Sequence, residues 1–483
     1  MSASRTFKIS APFGVAIAAG VPLLVLVSLG PVAALAGSAS IVVWPLSALV
    51  GLFMALAFAE LAGGYPRVNG GVAVLAADVL QPRSRALARI GQWSYWFGWS
   101  PALAINGLLV GGYIQRLTFP DAPSWTIALA ASAVLVATAV VNHFGLRVGA
   151  RLQVMLVVIV MAVIALLVVG ALQRRAVDLG QVWPISPPQG WLTASGAVAL
   201  GGALFIAGWS AYGAELALSY AARYRSGVRD AIGVLMLVAI FSLVAFALVP
   251  FFLLAVVGAP ALHADPADAF LMLSERSSTL PGSVILGALV LALVIGLNMV
   301  AVASSWTLHQ MSVRGDAPEF LGSLNRHGVP ANALRFDVGA NLVLIVLLTV
   351  VAGGNVGEVP IALLAAANVG YFVSMTLALV AAWLNHRRPV RPGLIRLRPA
   401  LARLSPLLAG FNVILLLAAG AAWGWWNMLI GVVVLGATVT LATLTRGRHP
   451  VATDASLPPC FGRSAHASAH PLSVPAERKE ARV

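Results

Sequence analysis

Glu215 is the residue whose type and setting carry the most chemistry in this sequence. It ends the run Gly208-Trp209-Ser210-Ala211-Tyr212-Gly213-Ala214-Glu215, inside an apolar stretch that spans residues 193–221. A carboxyl set among apolar residues is costly to hold as an ion, so it is a functional candidate by default. Two readings stay open. Glu215 could take up and release a proton, or it could be a structural carboxyl bonding a broken helix. Glu60, in Ala59-Glu60-Leu61, is the other acid deep in an apolar block, and its place at the block's end suits a structural role. No further acid is expected inside these blocks.

Breaks in helical sequence are the second signal. The first block contains Gly20-Val21-Pro22. Pro22 removes a backbone donor and crowds the preceding turn, and Gly20 leaves helical geometry at little cost. Either a local unwinding near 20–23 or a simple proline kink follows from this. Polar residues are also scattered within other blocks: Trp93, Tyr95-Trp96, Gly98-Trp99, Ser100-Pro101 and Asn106; Asn298, Ser304 and Ser305; Asn368, Gly370-Tyr371 and Ser374. Singly, each fits helix packing. Together they could supply the few polar groups of a mostly apolar pocket.

The elements that must carry these residues are membrane-spanning helices. Of 483 residues, 60% are hydrophobic and 10% charged, too apolar a balance for a water-facing surface. No charged residue lies between Lys8 and Glu60, or between Arg403 and Arg446. A span needs about 20 apolar residues, so each of these blocks holds two. The apolar pattern predicts helices at 11–36, 40–62, 91–116, 124–143, 151–173, 193–221, 231–257, 283–311, 334–353, 358–385, 404–422 and 424–445. The fold class is therefore all-α integral membrane with about twelve spans.

The charges support that count. With the N-terminus cytoplasmic, only Arg116, Arg174, Arg175 and Arg276 of the 30 Lys and Arg fall in external loops. That asymmetry implies an even number of spans with both termini inside, in a bacterial inner membrane. It also accounts for the net charge of +14 without nucleic acid. Loops 174–192, rich in Trp and Pro, and 258–282 could anchor at the interface or fold over an external mouth. The lone Cys460 excludes an intrachain disulfide and a cysteine metal cluster. The apolar run after the basic start is too long for a signal h-region and is expected to stay as the first helix. No HExxH pattern, paired carboxylates or Ser/His dyad stands at helical spacing, so an enzyme is not expected, nor a cofactor or metal.

Three motifs carry a family resemblance. They are Ala59-Glu60-Leu61 with Tyr65-Pro66-Arg67-Val68-Asn69-Gly70-Gly71; Trp209 to Glu215 with Arg229-Asp230; and Arg314-Gly315-Asp316-Ala317-Pro318-Glu319-Phe320-Leu321 with Gly328-Val329-Pro330. In these, residues 10–445 resemble the amino acid–polyamine–organocation superfamily of secondary transporters. The resemblance implies a five-plus-five inverted repeat, with repeats over 11–173 and 193–385 and two added helices over 404–445; the charge distribution leaves a cytoplasmic start at 1–10, and the Ser-, Pro-, Ala-, His- and Arg-rich composition of 446–483 predicts a disordered cytoplasmic tail. The first and sixth helices would be broken around the substrate.

By position, the resemblance implies substrate contacts at Gly20, Val21, Pro22, Gly98, Asn106, Gly208, Trp209, Tyr212, Gly213 and Asn298. Trp209 would close over the solute, and Glu215 would gate or couple protons. Ser304 and Ser305 stand where sodium-coupled relatives hold sodium. The Gly-Ser-Gly-Ile-Phe-type break of the first helix is replaced here by Gly20-Val21-Pro22, and the fifth helix has no mid-helix lysine. The implied function is a permease for an amino acid or amine, coupled to protons in preference to sodium, as monomer or homodimer. A polyamine carrier is the alternative, and a non-transporting solute sensor is the alternative from another class.

Overall fold

Hydrophobic blocks without charge have one way to satisfy their backbone in lipid, and the chain takes it: among the described residues it is helical with no β-strand. A computed structural model describes residues 11–65, 71–224, 227–264, 266–277, 280–351, 359–387 and 396–444. The expectations for 1–10 and 446–483 lie outside these residues.

The first span is α1 (Ala11–Gly20), a 3-10 turn (Val21–Leu24) and α2 (Val25–Ala36). Gly37 ends α2 at φ 54°, a conformation that favours glycine, and a Cβ there would meet Pro188 at 3.1 Å. The second span is α3 (Ser40–Gly64), followed by a short α4 (Gly71–Leu80). The third is split into α5 (Arg85–Trp99) and α6 (Ala102–Thr118). The Ser84 hydroxyl caps α5 by accepting from Leu87 N–H at 3.3 Å, so this helix starts six residues earlier than the sequence pattern places it. The fourth and fifth spans are α7 (Trp125–His143) and α8 (Leu146–Gln173).

The sixth span is α9 (Ala194–Ala211) running into a 3-10 helix (Gly213–Arg223). Next come α10 (Val228–Val257), the loop helices α11 (Ala259–Ala264) and α12 (Pro266–Ser277), and α13 (Gly282–Val313). The last spans are α14 (Ala331–Val351), α15 (Val359–His386), α17 (Leu404–Trp423) after the single turn α16 (Pro399–Ala402), and α18 (Trp425–Leu444).

Among the described residues, nine segments are long and apolar enough to cross a membrane. Every helix expected from the sequence is present, and the difference in count is local. Ala16–Gly64 is one 49-residue segment holding the first two spans; the third is divided at Ser100-Pro101; the last is a shorter apolar helix, Trp425–Thr440. Burial sorts them. The best windows of the segments built on α9, α13 and α15 are 67%, 67% and 72% buried, against 28% for those of α7, α8 and α14. The first group is the core. The second turns Leu129, Val140, Leu166, Val343 and Val346 outward, as lipid-facing helices do.

The packing repeats when each span of the first five is exchanged for the one five places on. The pairs α2–α9, α3–α10, α6–α13 and α7–α14 map onto themselves. The contact of α6 with α7 matches that of α13 with α14, and α5 with α15 matches α13 with α8. Five spans are an odd number, so the second repeat must start from the opposite side and is inverted. The contact of α3 with α15 has no counterpart of similar extent.

Polar contacts group the connecting segments on two faces. On one, Arg314 binds Asp78 through both carboxylate oxygens at 2.5 and 3.2 Å, Arg89 binds Asp316 at 2.8 Å, and His386 Nδ1 meets Glu60 at 2.8 Å. On the other, Asp178 N–H donates to Ala255 O at 2.8 Å, Ser38 binds the 184–186 backbone, and Arg116 pairs with Asp268 at 2.5 Å.

The Asp78 pair gives a signed prediction. Burial pushes the Asp78 carboxyl above its usual range, and the Arg314 guanidinium pulls it back. In Arg314→Gln burial acts alone, so the folded chain binds protons more tightly than the unfolded chain. Stability is then lost as pH rises through and above the carboxylate range. Thermal unfolding in detergent should show a deficit against wild type that is small near about pH 4 and larger near about pH 7.

Candidate functional site

Glu215 sits at the start of the 3-10 stretch, 1% exposed. Its Oε2 accepts from the Tyr95 hydroxyl at 2.7 Å, and its Oε1 from the Trp99 indole N–H at 3.1 Å and the Tyr371 hydroxyl at 3.5 Å. The donors arrive from α5 and α15 because these helices cross without side chains between them. A Cβ on Gly98 would lie 2.7 Å from Tyr371 N and Cα, and one on Gly370 2.7 Å from Ser94 O. Tyr95 and Trp99 are four residues apart, so both rings leave one face of α5. Among the described residues no cation pairs with the carboxyl. It is held by an indole and two phenols, donors that suit either protonation state of a carboxyl more readily than a guanidinium would.

Aromatic rings close the space around it. Trp99 packs on Trp209 with centroids 5.1 Å apart and edge-on to Tyr371 at 5.2 Å. Trp209 Nε1 donates to Gly98 O at 3.1 Å. Phe372 bridges Phe205 at 4.8 Å and Tyr212 at 5.7 Å, and a Cβ on Gly208 would strike its ring at 2.8 Å. Trp99, Trp209 and Tyr371 are fully buried.

The two helix breaks face each other. A Cβ on Gly213 would lie 3.2 Å from Val21 Cγ1. Ser210 Oγ donates to Leu24 O at 3.0 Å and shares a 2.6 Å hydrogen bond with Ser28 Oγ. The break in the first span is milder than an unwinding. Gly20 stays near helical angles, and Pro22 sits in the first positions of a 3-10 turn, where its missing N–H has no partner to lose. The break in the sixth is longer: α9 passes into 3-10 geometry from Gly213 onward.

The structure thus brings Gly98, Gly208, Trp209, Tyr212, Gly213, Glu215 and Val21 together. Gly20 lies apart from the aromatic group, against Gln153, Ile295 and Met299. Asn298 is there too: its Oδ1 accepts from Asn142 and its Nδ2 donates to Gln153 Oε1, each at 2.9 Å. Gln153 is 1% exposed, its Nε2 has no hydrogen-bond partner among the described residues, and it stands 3.0 Å from where a Cβ on Gly20 would be. Asn106 bonds its own helix through Ala102 O and faces Gly296. Ser305 donates to Ala301 O and Val302 O within α13, and Ser304 donates to Asp337.

Asp337 corrects one expectation. It lies in α14, 0% exposed, as a further acid inside the apolar blocks. The sequence offers a signal in hindsight: Asp337 and Asn341 stand at i and i+4, one face of a helix. Tyr95, Trp99 and Tyr371 were visible as polar residues of their spans, but only the crossing of α5 and α15 joins them to Glu215.

A family model described as amino acid permease matches residues 9–443. The chain belongs to the amino acid permease family. It is similar to the lysine-specific permease LysP of Escherichia coli (strain K12), at 24% identity over 263 residues. The alignment covers 50% of this chain and 51% of that permease, so the match spans about half the length of each. Membership together with the apolar helices makes it a multi-pass membrane protein.

Proposed function

We propose that this permease is a secondary active transporter for an amino acid or closely related amine, coupled to protons through Glu215 and working by alternating access as symporter or exchanger. One observation carries the reading. A buried carboxyl at the break of the sixth span is held by neutral donors from two other spans and, among the described residues, by no cation. Such a group can be charged in one state of the cycle and neutral in the next, with the same partners.

The solute belongs between the two breaks. There Gly213 meets Val21 and Trp99, and Trp99 packs on Trp209, so these are the side chains that would part around it. The unpartnered Gln153 amide beside Gly20 offers a donor for a solute carboxylate or carbonyl. A polyamine would need several buried anions, and Glu215 is the anion at this place, so a single amine suits it better. The distribution of arginines supports a bacterial inner membrane with both termini cytoplasmic.

Uptake of labelled amino acids, lysine among them, into proteoliposomes tests the reading. Accumulation is expected under an imposed proton gradient and not under a sodium gradient. Failure to accumulate any amino acid or amine under either would sink transport. Accumulation driven by sodium alone would overturn the coupling.

A further inference from the structure

α5 presents donors to two buried carboxyls at once. Tyr95 and Trp99 serve Glu215, while Trp96 Nε1 at 3.1 Å and Ser100 Oγ at 2.5 Å serve Asp337 Oδ1. The two pairs are each four residues apart and offset by one, which turns them about 100° around the helix axis. The donor sets are alike. Each carboxyl receives one indole N–H and two hydroxyls, the second hydroxyl at Asp337 coming from Ser304 of α13. Among the described residues neither has a cation.

Charged or titratable side chains on the elements packed around Asp337 are engaged or placed elsewhere. On α5, Arg85 is exposed and Arg89 is bound to Asp316. On α13, His309 packs edge-on to Trp306 and Arg314 holds Asp78. Arg335 of α14 is exposed beside Asn332, and Glu319 of the turn Glu319–Gly322 is exposed. Tyr113 and Arg116 sit at the far end of α6, and His143 at the end of α7 packs edge-on to Phe144 and His327.

We propose that Asp337 is a second proton-exchanging carboxyl, coupled to Glu215 through the shared helix α5. The proposal rests on the reading of Glu215 above. A purely structural contact would be served by an amide, without the cost of a buried charge. The Asp337 surroundings instead accommodate both protonation states. With the carboxylate, Ser304 and Ser100 donate. When a proton adds to a carboxylate oxygen, an O–H bond forms there and donates to Ser304 Oγ, whose own hydroxyl turns to a carbonyl one turn back on α13. Trp96 keeps donating to the other oxygen. Asn341, which accepts from Ala104 N–H at 3.2 Å and donates to Ser100 Oγ at 3.0 Å, links that change to the split between α5 and α6.

Infrared pH-difference spectra of the purified full chain in lipid vesicles test this without a solute. Subtracting variant from wild type isolates the carboxyl stretch of each residue. Asp337→Asn is expected to lose one titrating band and to move the titration midpoint of the Glu215 band. Glu215→Gln is expected to lose the other band. Ser304→Ala, a lesser perturbation, should move the midpoint of the Asp337 band and leave its amplitude. If Asp337→Asn and Ser304→Ala both leave the spectra as in wild type, Asp337 exchanges no proton and the proposal falls, with Glu215 untouched. If Glu215→Gln loses no band, it is the reading of Glu215 that fails. Should Asp337→Asn not fold, Asp337→Glu must show a displaced band and Ser304→Ala the moved midpoint; absence of both overturns the proposal.

Discussion

Glu215→Gln is expected to abolish gradient-driven accumulation while leaving some solute exchange. Glutamine has the shape of a protonated glutamate: its one amide oxygen can keep accepting from Trp99, its NH2 can donate to the Tyr95 hydroxyl in place of the bond Tyr95 gives, and the aromatic group stays packed. What is lost is the change of charge. If one proton moves with each neutral solute, an imposed difference of one pH unit can sustain about tenfold accumulation, since 2.303RT is ~1.4 kcal/mol. In the variant that driving force is disconnected, and the internal concentration should level with the external one. Exchange of labelled for unlabelled solute needs no net proton movement and should continue. The measurement is paired: accumulation and counterflow in the same proteoliposomes. Glu215→Ala is predicted to behave worse, because Tyr95, Trp99 and Tyr371 would be left without their buried acceptor at about 1–3 kcal/mol each. Normal pH-dependent accumulation in Glu215→Gln would remove this carboxyl from the coupling mechanism.

How much of this was legible in the sequence depends on the range of the cause. Span existence follows from local composition, and each expected block is a helix. The two helix breaks were legible because Gly20-Val21-Pro22 and Gly208 to Gly213 disturb a helix wherever they stand. Their shapes were not. Pro22 costs little at the start of a 3-10 turn, whereas the long 3-10 stretch from Gly213 is sustained by packing against α10, α3 and α4, which local sequence does not announce. The sequence reads 91–116 as one helix through Ser100-Pro101, because the Ala104 N–H at the split is met by Asn341, 237 residues further on. Asp337 escaped notice for the same reason. Near Arg335 at the start of an apolar block it looks like a loop-end acid, and only the convergence of α5, α13 and α14 buries it.

The same long-range logic makes Gly98 the position where the smallest change should do the most harm. α5 and α15 touch backbone to backbone there, as small residues allow in spanning helices. A Cβ on Gly98 would sit 2.7 Å from Tyr371 N and Cα and 2.8 Å from its Cβ. Those atoms are main chain or fixed to it, so no rotamer relieves the clash and the helices must separate. Overpacking of this kind costs about 1–3 kcal/mol. Separation also carries Tyr371 away from Glu215 and strains the Trp209 bond to Gly98 O. Gly98→Ala should therefore lower the unfolding temperature in detergent and cut uptake further than the lost stability explains. Gly112→Ala, one helix on, meets nothing within 4 Å and should be neutral, or gain up to ~1 kcal/mol from helix propensity. If Gly98→Ala unfolds and transports like Gly112→Ala, the crossing of α5 and α15 does not set the donors of Glu215, and the site must be assembled by the sixth span alone.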